Sequence, residues 1–287
     1  MALTYKNFDI ERVVFEKPKK FNNKSNPITL KRIYIRYDYP KDFPDRDLAG
    51  RRDVLSIKTP NCMSYGLQEK KDMYKNAEGK YVPVEGSKVQ SYSFPIVMFD
   101  ANSTPSEEVL KTVEMFEAIA KRCRQHMCKQ STKEELECYR MDALSELMEI
   151  FYRKMEKGLY VEGASPVLST KVYIKYTKND EISIDTNFED VRGNTIDPLT
   201  LIDKRCYAIC DVIIDNIFIG NKPSIQVKVN DVIITSMQTR KRRLFIEPED
   251  CPEAAKSEPK RLKGDEEEVE MTTDDDFSGI LGRKYDD

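Results

Sequence analysis

The strongest constraint in the chain is the run from Cys206 to Ile219, a long stretch rich in β-branched side chains. Gly220-Asn221-Lys222-Pro223 turns it, Ile225-Gln226-Val227-Lys228-Val229-Asn230 alternates back, and Val232-Ile233-Ile234 extends the return. Two such runs about a Gly/Pro turn specify a long hairpin. Other strand signals accompany it at Arg12–Phe15, Leu30–Tyr37, Asp53–Lys58 and Ser93–Phe99. In Leu30–Tyr37 the side chains of Ile33, Ile35 and Tyr37 point one way and those of Arg32, Tyr34 and Arg36 the other. Lys171–Tyr176 alternates in the same manner and returns through Glu181–Asp185 about the turn at 177–181, a second hairpin. Lys17–Lys24 reads as a basic loop and 60–92 as a long, polar, irregular connection.

The middle of the chain has the other period. Thr104-Pro105-Ser106-Glu107 carries a cap, a proline at the first helical position and a glutamate three residues on. Leu110, Val113, Phe116, Ile119, Ala120, Cys123 and Met127 follow at spacings of three and four. Ser131-Thr132-Lys133-Glu134 predicts a second helix with Leu136, Leu144, Leu147, Met148, Phe151 and Met155 on its apolar face and Gly158 as its stop. Strands, an antiparallel helical pair at about 104–158, then strands again give an α+β class, mainly antiparallel β. The arrangement expected is an OB-like Greek-key barrel with an inserted helical pair, occupying residues 1–246.

Charge divides the chain at that boundary. Residues 247–287 hold 15 acidic and 6 basic residues, whereas residues 1–246 hold 41 basic and 35 acidic. A segment this acidic, broken by Pro248, Pro252 and Pro259, buries too little apolar surface to offset its ordering entropy, and it is expected to be a disordered acidic tail. It reads either as a solubilising terminus or as a tethered polyanion competing for a basic groove, with Phe277 and Ile280-Leu281 as a docking peptide for a partner.

Composition narrows the chemistry. His126 is the single histidine, so a Ser-His-Asp or Cys-His site must use it and a multi-histidine metal site is excluded. Cys123, His126, Cys128 and Cys138 include donor types that zinc accepts, but the first two lie on a predicted helix rather than in paired turns, so no metal is expected. Neither G-x4-G-K-[ST] nor G-x-G-x-x-G occurs, and no enzymatic role or cofactor is expected. Seven irregularly spaced cysteines read as reduced thiols. With no basic-then-apolar leader and no apolar run of transmembrane length, an intracellular, non-membrane protein is expected, in cytoplasm or nucleus.

One pattern points to a ligand. Basic–aromatic–basic occurs twice on the polar face of a strand, as Arg32-Tyr34-Arg36 and as Lys171-Tyr173-Lys175. Rings that stack bases, set among cations that neutralise phosphate, suit single-stranded nucleic acid, because a duplex hides its base faces. Exposed strands also favour tyrosine and lysine for no such reason, so an ordinary solvated sheet face is the competing account. Arg240-Lys241-Arg242-Arg243, the densest basic run, extends the phosphate track or serves as a linker or nuclear import signal.

The segments Cys206-Tyr207-Ala208-Ile209-Cys210-Asp211-Val212-Ile213-Ile214 and Ile217-Phe218-Ile219-Gly220-Asn221-Lys222-Pro223-Ser224-Ile225-Gln226-Val227-Lys228-Val229, followed by an acidic tail, resemble the closing hairpin of virus and phage single-stranded DNA-binding proteins. The whole chain resembles the OB-fold single-stranded DNA-binding proteins of large nucleocytoplasmic DNA viruses. That resemblance implies sequence-independent coating of single-stranded intermediates in replication, recombination or repair. DNA is the expected polymer, with RNA the alternative. A structural or scaffold protein of a virion, binding other proteins through its helices and tail, is the competing function.

Overall fold

The computed structural model describes residues 2–22, 29–76, 79, 81–99, 104–136, 149–156, 159–161, 164–176, 182–220 and 223–238. The expected acidic tail and the run Arg240–Arg243 lie outside the described residues, as do Leu144, Leu147, Met148, Gly158 and the turn at 177–181.

The first strands are β1 (Val13–Phe15), β2 (Lys19–Asn22), β3 (Thr29–Asp38) and β4 (Arg52–Lys58). The segment expected as a basic loop is therefore half strand, because its lysines pair with the polar-faced β3, Lys19 opposite Arg32. The stretch expected to be irregular holds β5 (Cys62–Ser64), β6 (Gln68–Lys70), β7 (Met73–Lys75) and β8 (Tyr81–Pro83), and continues into β9 (Ser91–Ser93). After β10 (Ile96–Val97), helix α1 spans Glu107–Met127. Its cap is Ser106, whose hydroxyl accepts from the Val109 amide at 3.4 Å, two residues later than Thr104; Pro105 precedes the cap.

The expected second helix does not continue through Phe151 and Met155, and its middle, residues 137–148, lies outside the described residues. Helix α2 covers Gln130–Glu135, and Phe151 and Met155 begin strands β11 (Phe151–Tyr152) and β12 (Met155–Glu156), the latter paired with β13 (Leu159–Tyr160). An aromatic-rich segment such as Ile150-Phe151-Tyr152 fits a pleated surface as well as a helix face. Phe151 packs edge-on against Phe116 of α1, ring centroids 5.8 Å apart, so the same apolar residue seals the core from a strand.

The last third contains β14 (Val167–Leu168), β15 (Lys171–Val172), β16 (Ile174–Tyr176), β17 (Ile182–Ile184), β18 (Asn187–Asp190), β19 (Cys206–Ile219) and β20 (Pro223–Met237). The long hairpin β19–β20 is as the sequence predicts. The Lys171–Tyr176 segment is divided: β15 joins the main sheet beside β20, whereas β16 pairs with β17 in a separate ribbon.

Among the described residues fourteen strands form one mixed sheet, and no closed barrel is present. The expected Greek-key closure fails because the hairpin's edges are shared out. The outer edge of β19 serves β5, β4 and β3 in turn, and that of β20 serves β15 and β18, both parallel to it. The pairings β3–β4, β4–β19 and β3–β19 are all antiparallel. A flat sheet cannot satisfy all three. Strand β3 must therefore turn across Ile35, between Tyr34, its last residue on β19, and Arg36, its first on β4. This turn curls the sheet over the core.

One face of the sheet is dry. Ile33, Ile35, Leu55, Ile57, Val212, Ile214, Val227 and Val229 are buried there with the inner stripe of α1, including Phe116, Ile119 and Cys123. Cys206 and Cys210 also point into this core, as expected for strand neighbours two or four apart. Lys31 is the exception: buried, it donates from Nζ to the Leu136 carbonyl just past α2, tying β3 to the helices.

Candidate nucleic-acid interface

The opposite face of the same strands collects polar and aromatic side chains. Strand β3 contributes Arg32 and Tyr34, which lie opposite Phe218 and Asn216 of β19. Across the hairpin, Asn216 pairs with Gln226 and Ile213 with Lys228 of β20. Lys228 lies beside Lys171 of β15, Lys171 beside Ser93 of β9, and Ser93 beside Gln68 of β6. Residues facing each other across adjacent strands project to one side, so this is one continuous surface running from β2 to β6.

Both predicted rings sit on it, half-buried and turned away from the core. Tyr34 has Lys19 Nζ 4.9 Å and Arg36 5.2 Å from its ring centre. Tyr173 has Lys228 Nζ 4.9 Å from its ring centre. Each ring thus carries cations, although not always those its own strand supplies. Lys19 comes from the segment read as a loop and Lys228 from the return arm of the hairpin. The second predicted triplet does not survive as a face: the chain bends at Tyr173, and Lys175 moves to the β16–β17 ribbon, where it pairs with Asp185. The bend is held by Thr186, whose hydroxyl accepts from the Tyr173 amide and donates to the Val229 carbonyl.

The cations differ in how far they are already neutralised. Arg36 and Lys19 share the Glu16 carboxylate at 2.8 and 2.7 Å. The Lys19 hydrogen bond first, then the Arg36 charge, hold Glu16 below the usual carboxylate range. Lys228 reaches Asp215 at 2.7 Å, with only 14% of that carboxylate side chain exposed. Asp215 is the extra residue where the β19–β20 register slips between Ile214 and Asn216, and such a bulge re-aims a side chain. Lys171, by contrast, donates to a neutral partner, Gln226 Oε1, at 2.6 Å. Crowding by the protein pushes its pKa down, and the positive charges of Lys70, Lys228 and Arg32 push it further. Four cations from four strands therefore converge, and the two motifs meet through Arg32 and Lys171.

The surface changes sign along the hairpin. Past Lys228, Asp211 accepts from Ser56 and Asn230, and Asp231 stands beside Asp211 and Glu189. Burial first, then those two carboxylates, raise the Asp231 pKa. Opposite Tyr34 on β19, the buried Asn216 gives its amide N–H to Asp215 and keeps an Oδ1 without a partner among the described residues.

Sequence reasoning missed Lys70 and Lys228, and placed Lys19 only in a basic loop, the less specific of two candidate phosphate grips. Lys228 was readable, since Gln226, Lys228 and Asn230 alternate on the polar side of the return strand. Lys19 and Lys70 sit in segments whose strands depend on partners remote in sequence. The single histidine plays no part here: His126, on α1, stacks on Phe15 with ring centroids 4.1 Å apart. Cys123 beside it faces the core, where burial pushes its thiol up to about 12.

A family model described as "Protein of unknown function (DUF2738)" matches residues 6–274. The chain is 29% identical over 264 residues to the "Early 31 kDa protein" of Frog virus 3 (isolate Goorha), covering 91% of this chain and 90% of the relative. It is 26% identical over 149 residues to "Uncharacterized protein 007R" of Invertebrate iridescent virus 3, covering 52% of this chain and 32% of that protein. Among solved structures, gp2.5, a single-stranded DNA-binding protein encoded by bacteriophage T7, is similar at a TM-score of 0.37 and 12% identity over 71% of this chain and 98% of that one. A likeness at that level does not define a shared fold.

Proposed function

Because the chain belongs to the DUF2738 family, whose function is unknown, its activity must be read from its own surface, and we propose that it binds single-stranded DNA without sequence preference. The observation that carries this reading is the meeting of Arg32, Lys171, Lys70 and Lys228 on the sheet face that also presents Tyr34 and Tyr173. Cations spaced along a curved face track a phosphate backbone, and rings between them offer stacking surfaces that every base can use. In this reading Tyr34 and Tyr173 stack bases, Arg32, Arg36 and Lys171 contact phosphates, and Arg240–Arg243 extend the track. Lys175, already paired with Asp185 on the side ribbon, has the weakest case of the residues first singled out.

The role is that of a non-enzymatic, intracellular coating protein in viral-type DNA replication, recombination or repair. The viral origin of the two relatives supports the setting. The acidic segment 247–287 competes for the basic face or recruits replication proteins, so its removal tightens DNA binding if it competes and leaves affinity unchanged if it only recruits. Titration of a labelled oligothymidine at several salt concentrations tests the main reading. Affinity should fall with salt at a log–log slope of about −0.7 per phosphate neutralised. Undetectable or salt-independent binding would refute it. Competition by RNA of the same sequence, and by duplex DNA, separates the polymers.

A scaffold role has one observation in its favour. A groove at the far end of β20, lined by Val191, Ile196, Leu201, Ile234 and Met237, leaves Val191 66% and Met237 42% exposed. Partner capture through this groove, with no affinity for oligonucleotides, would favour that role.

A further inference from the structure

Beyond the sheet face, the least explained apolar surface among the described residues is the β7–β8 ribbon. Met73, Tyr74 and Tyr81 are 39%, 52% and 36% exposed, on strands of three residues each that bury no side chain. The register sets Tyr74 opposite Val82 and Lys75 opposite Tyr81, so rings emerge on both sides of the ribbon. A bare two-stranded ribbon is at best marginally stable in water, and one that shows rings on both sides lacks the buried face that would steady it.

Its attachment says what it serves. Strands β6 and β9 end with Lys70 opposite Ser91, and the ladder continues outward through Gln90 N–H to the Lys70 carbonyl and Val84 N–H to the Asp72 carbonyl, both 2.8 Å. The ribbon is therefore an arm growing from the strand that carries Lys70, one of the cations gathered around Lys171. Along it the chemistry of the face repeats: Lys75 Nζ stands 5.1 Å from the Tyr81 ring centre, as Lys19 and Lys228 stand over Tyr34 and Tyr173. The β16–β17 ribbon, with Tyr176 67% exposed, is rooted next to it. Because β15 and β9 are antiparallel, the chain leaves β15 at the end where it enters β9.

We propose that the β7–β8 arm is a second contact for the same single strand, with Tyr74 and Tyr81 stacking bases that lie beyond the sheet face. This inference rests on the single-strand reading above and lengthens its site. Aromatic stacking is sequence-tolerant, so the arm adds footprint and affinity without adding sequence preference. A strand long enough to reach past Lys70 engages both contacts, and a short one engages the face alone.

The test compares the full chain with the double variant Tyr74→Ser/Tyr81→Ser. Both side chains are exposed, so the thermal midpoint should match the parent and report intact folding. Binding is measured by anisotropy on oligothymidines of about 6 and about 20 nucleotides, one near the short end of the usual range of single-strand sites and one beyond its long end. On the longer strand the variant should bind at least about 25-fold more weakly, about fivefold for each ring lost. On the shorter strand it should match the parent. Unchanged affinity on the long strand, while the parent binds it, overturns the arm and leaves the face intact. Equal weakening on both lengths overturns the extension, since the rings would then belong to the first site. A parent that binds neither strand overturns both readings.

Discussion

Salt dependence can separate the cations on the face, because the structure shows that they do not have the same charge to give. Lys171 holds a neutral amide, Gln226, whereas Lys228 is already matched by Asp215 at 2.7 Å. A phosphate that meets Lys171 gains an uncompensated charge; one that meets Lys228 must first displace a carboxylate. Each phosphate neutralised on a single strand contributes about 0.7 to the log–log slope, so Lys171→Gln should flatten the slope by about 0.7, or about 2.6-fold in affinity across a fourfold change in salt. Lys228→Gln should change it much less, and Asp215→Asn, which frees Lys228, should steepen it. Anisotropy titrations of a labelled oligothymidine at four or more salt concentrations resolve such differences. If Lys171→Gln leaves the slope unaltered, or Lys228→Gln flattens it more than Lys171→Gln does, the assignment of cations to the polymer is wrong.

Other expectations follow from the same surface and from the core beneath it. Tyr34→Leu and Tyr173→Leu should each weaken oligothymidine binding by about 1–3 kcal/mol, with the Phe variants near the parent, since stacking needs the ring and not the hydroxyl; equal losses for Phe and Leu would contradict stacking. His126 has its pKa lowered from 6.5 to about 4 by burial and by the charges of Lys129 and Arg122. The unfolded chain therefore takes up a proton that the folded chain refuses, and stability should decline as pH falls from about 6.5 towards 4. In His126→Phe, which keeps a ring against Phe15, denaturant midpoints should lose that part of the pH dependence. Asp231→Asn should raise the denaturant midpoint at neutral pH, because ionised Asp231 is crowded by Asp211 and Glu189, and should leave the salt slope of DNA binding unaltered.

Period-two alternation located what one strand determines by itself. It placed Ile33, Ile35 and Tyr37 in the core, Arg32 and Tyr34 on the opposite side, and β19–β20 as a hairpin. It could not show that β3 turns across Ile35, because that turn follows from sharing β3 between β4, the next strand, and β19, which is remote in the chain. Nor could it foresee the break at Tyr173, where Thr186 ties the bend to Val229 and the alternating pattern simply continues through it. The departure of Phe151 from the expected second helix has a related cause. Apolar residues three and four apart between 136 and 155 satisfy a helix, yet Phe151 gains a partner in Phe116 from strand β11 instead. Strands as short as β6, β7 and β8 have too few residues to show a period, so Lys70, Tyr74 and Tyr81 were invisible as a surface.

The sign change along the hairpin bears on the path of a bound strand. Along β19 and β20 the face passes from Arg32 and Lys171 to Asp211, Asp231 and Glu189, so a polymer following the strand direction would soon bring phosphates against carboxylates. Across the strands it meets Lys19, Arg32, Lys228, Lys171 and Lys70 in succession, with Tyr34 and Tyr173 beside that line. Repulsion on one axis and attraction on the other therefore favour a crosswise path. The neutral Asp231→Asn variant is the decisive comparison: on a crosswise path its carboxylate is never approached, whereas on a lengthwise path removing it would tighten binding.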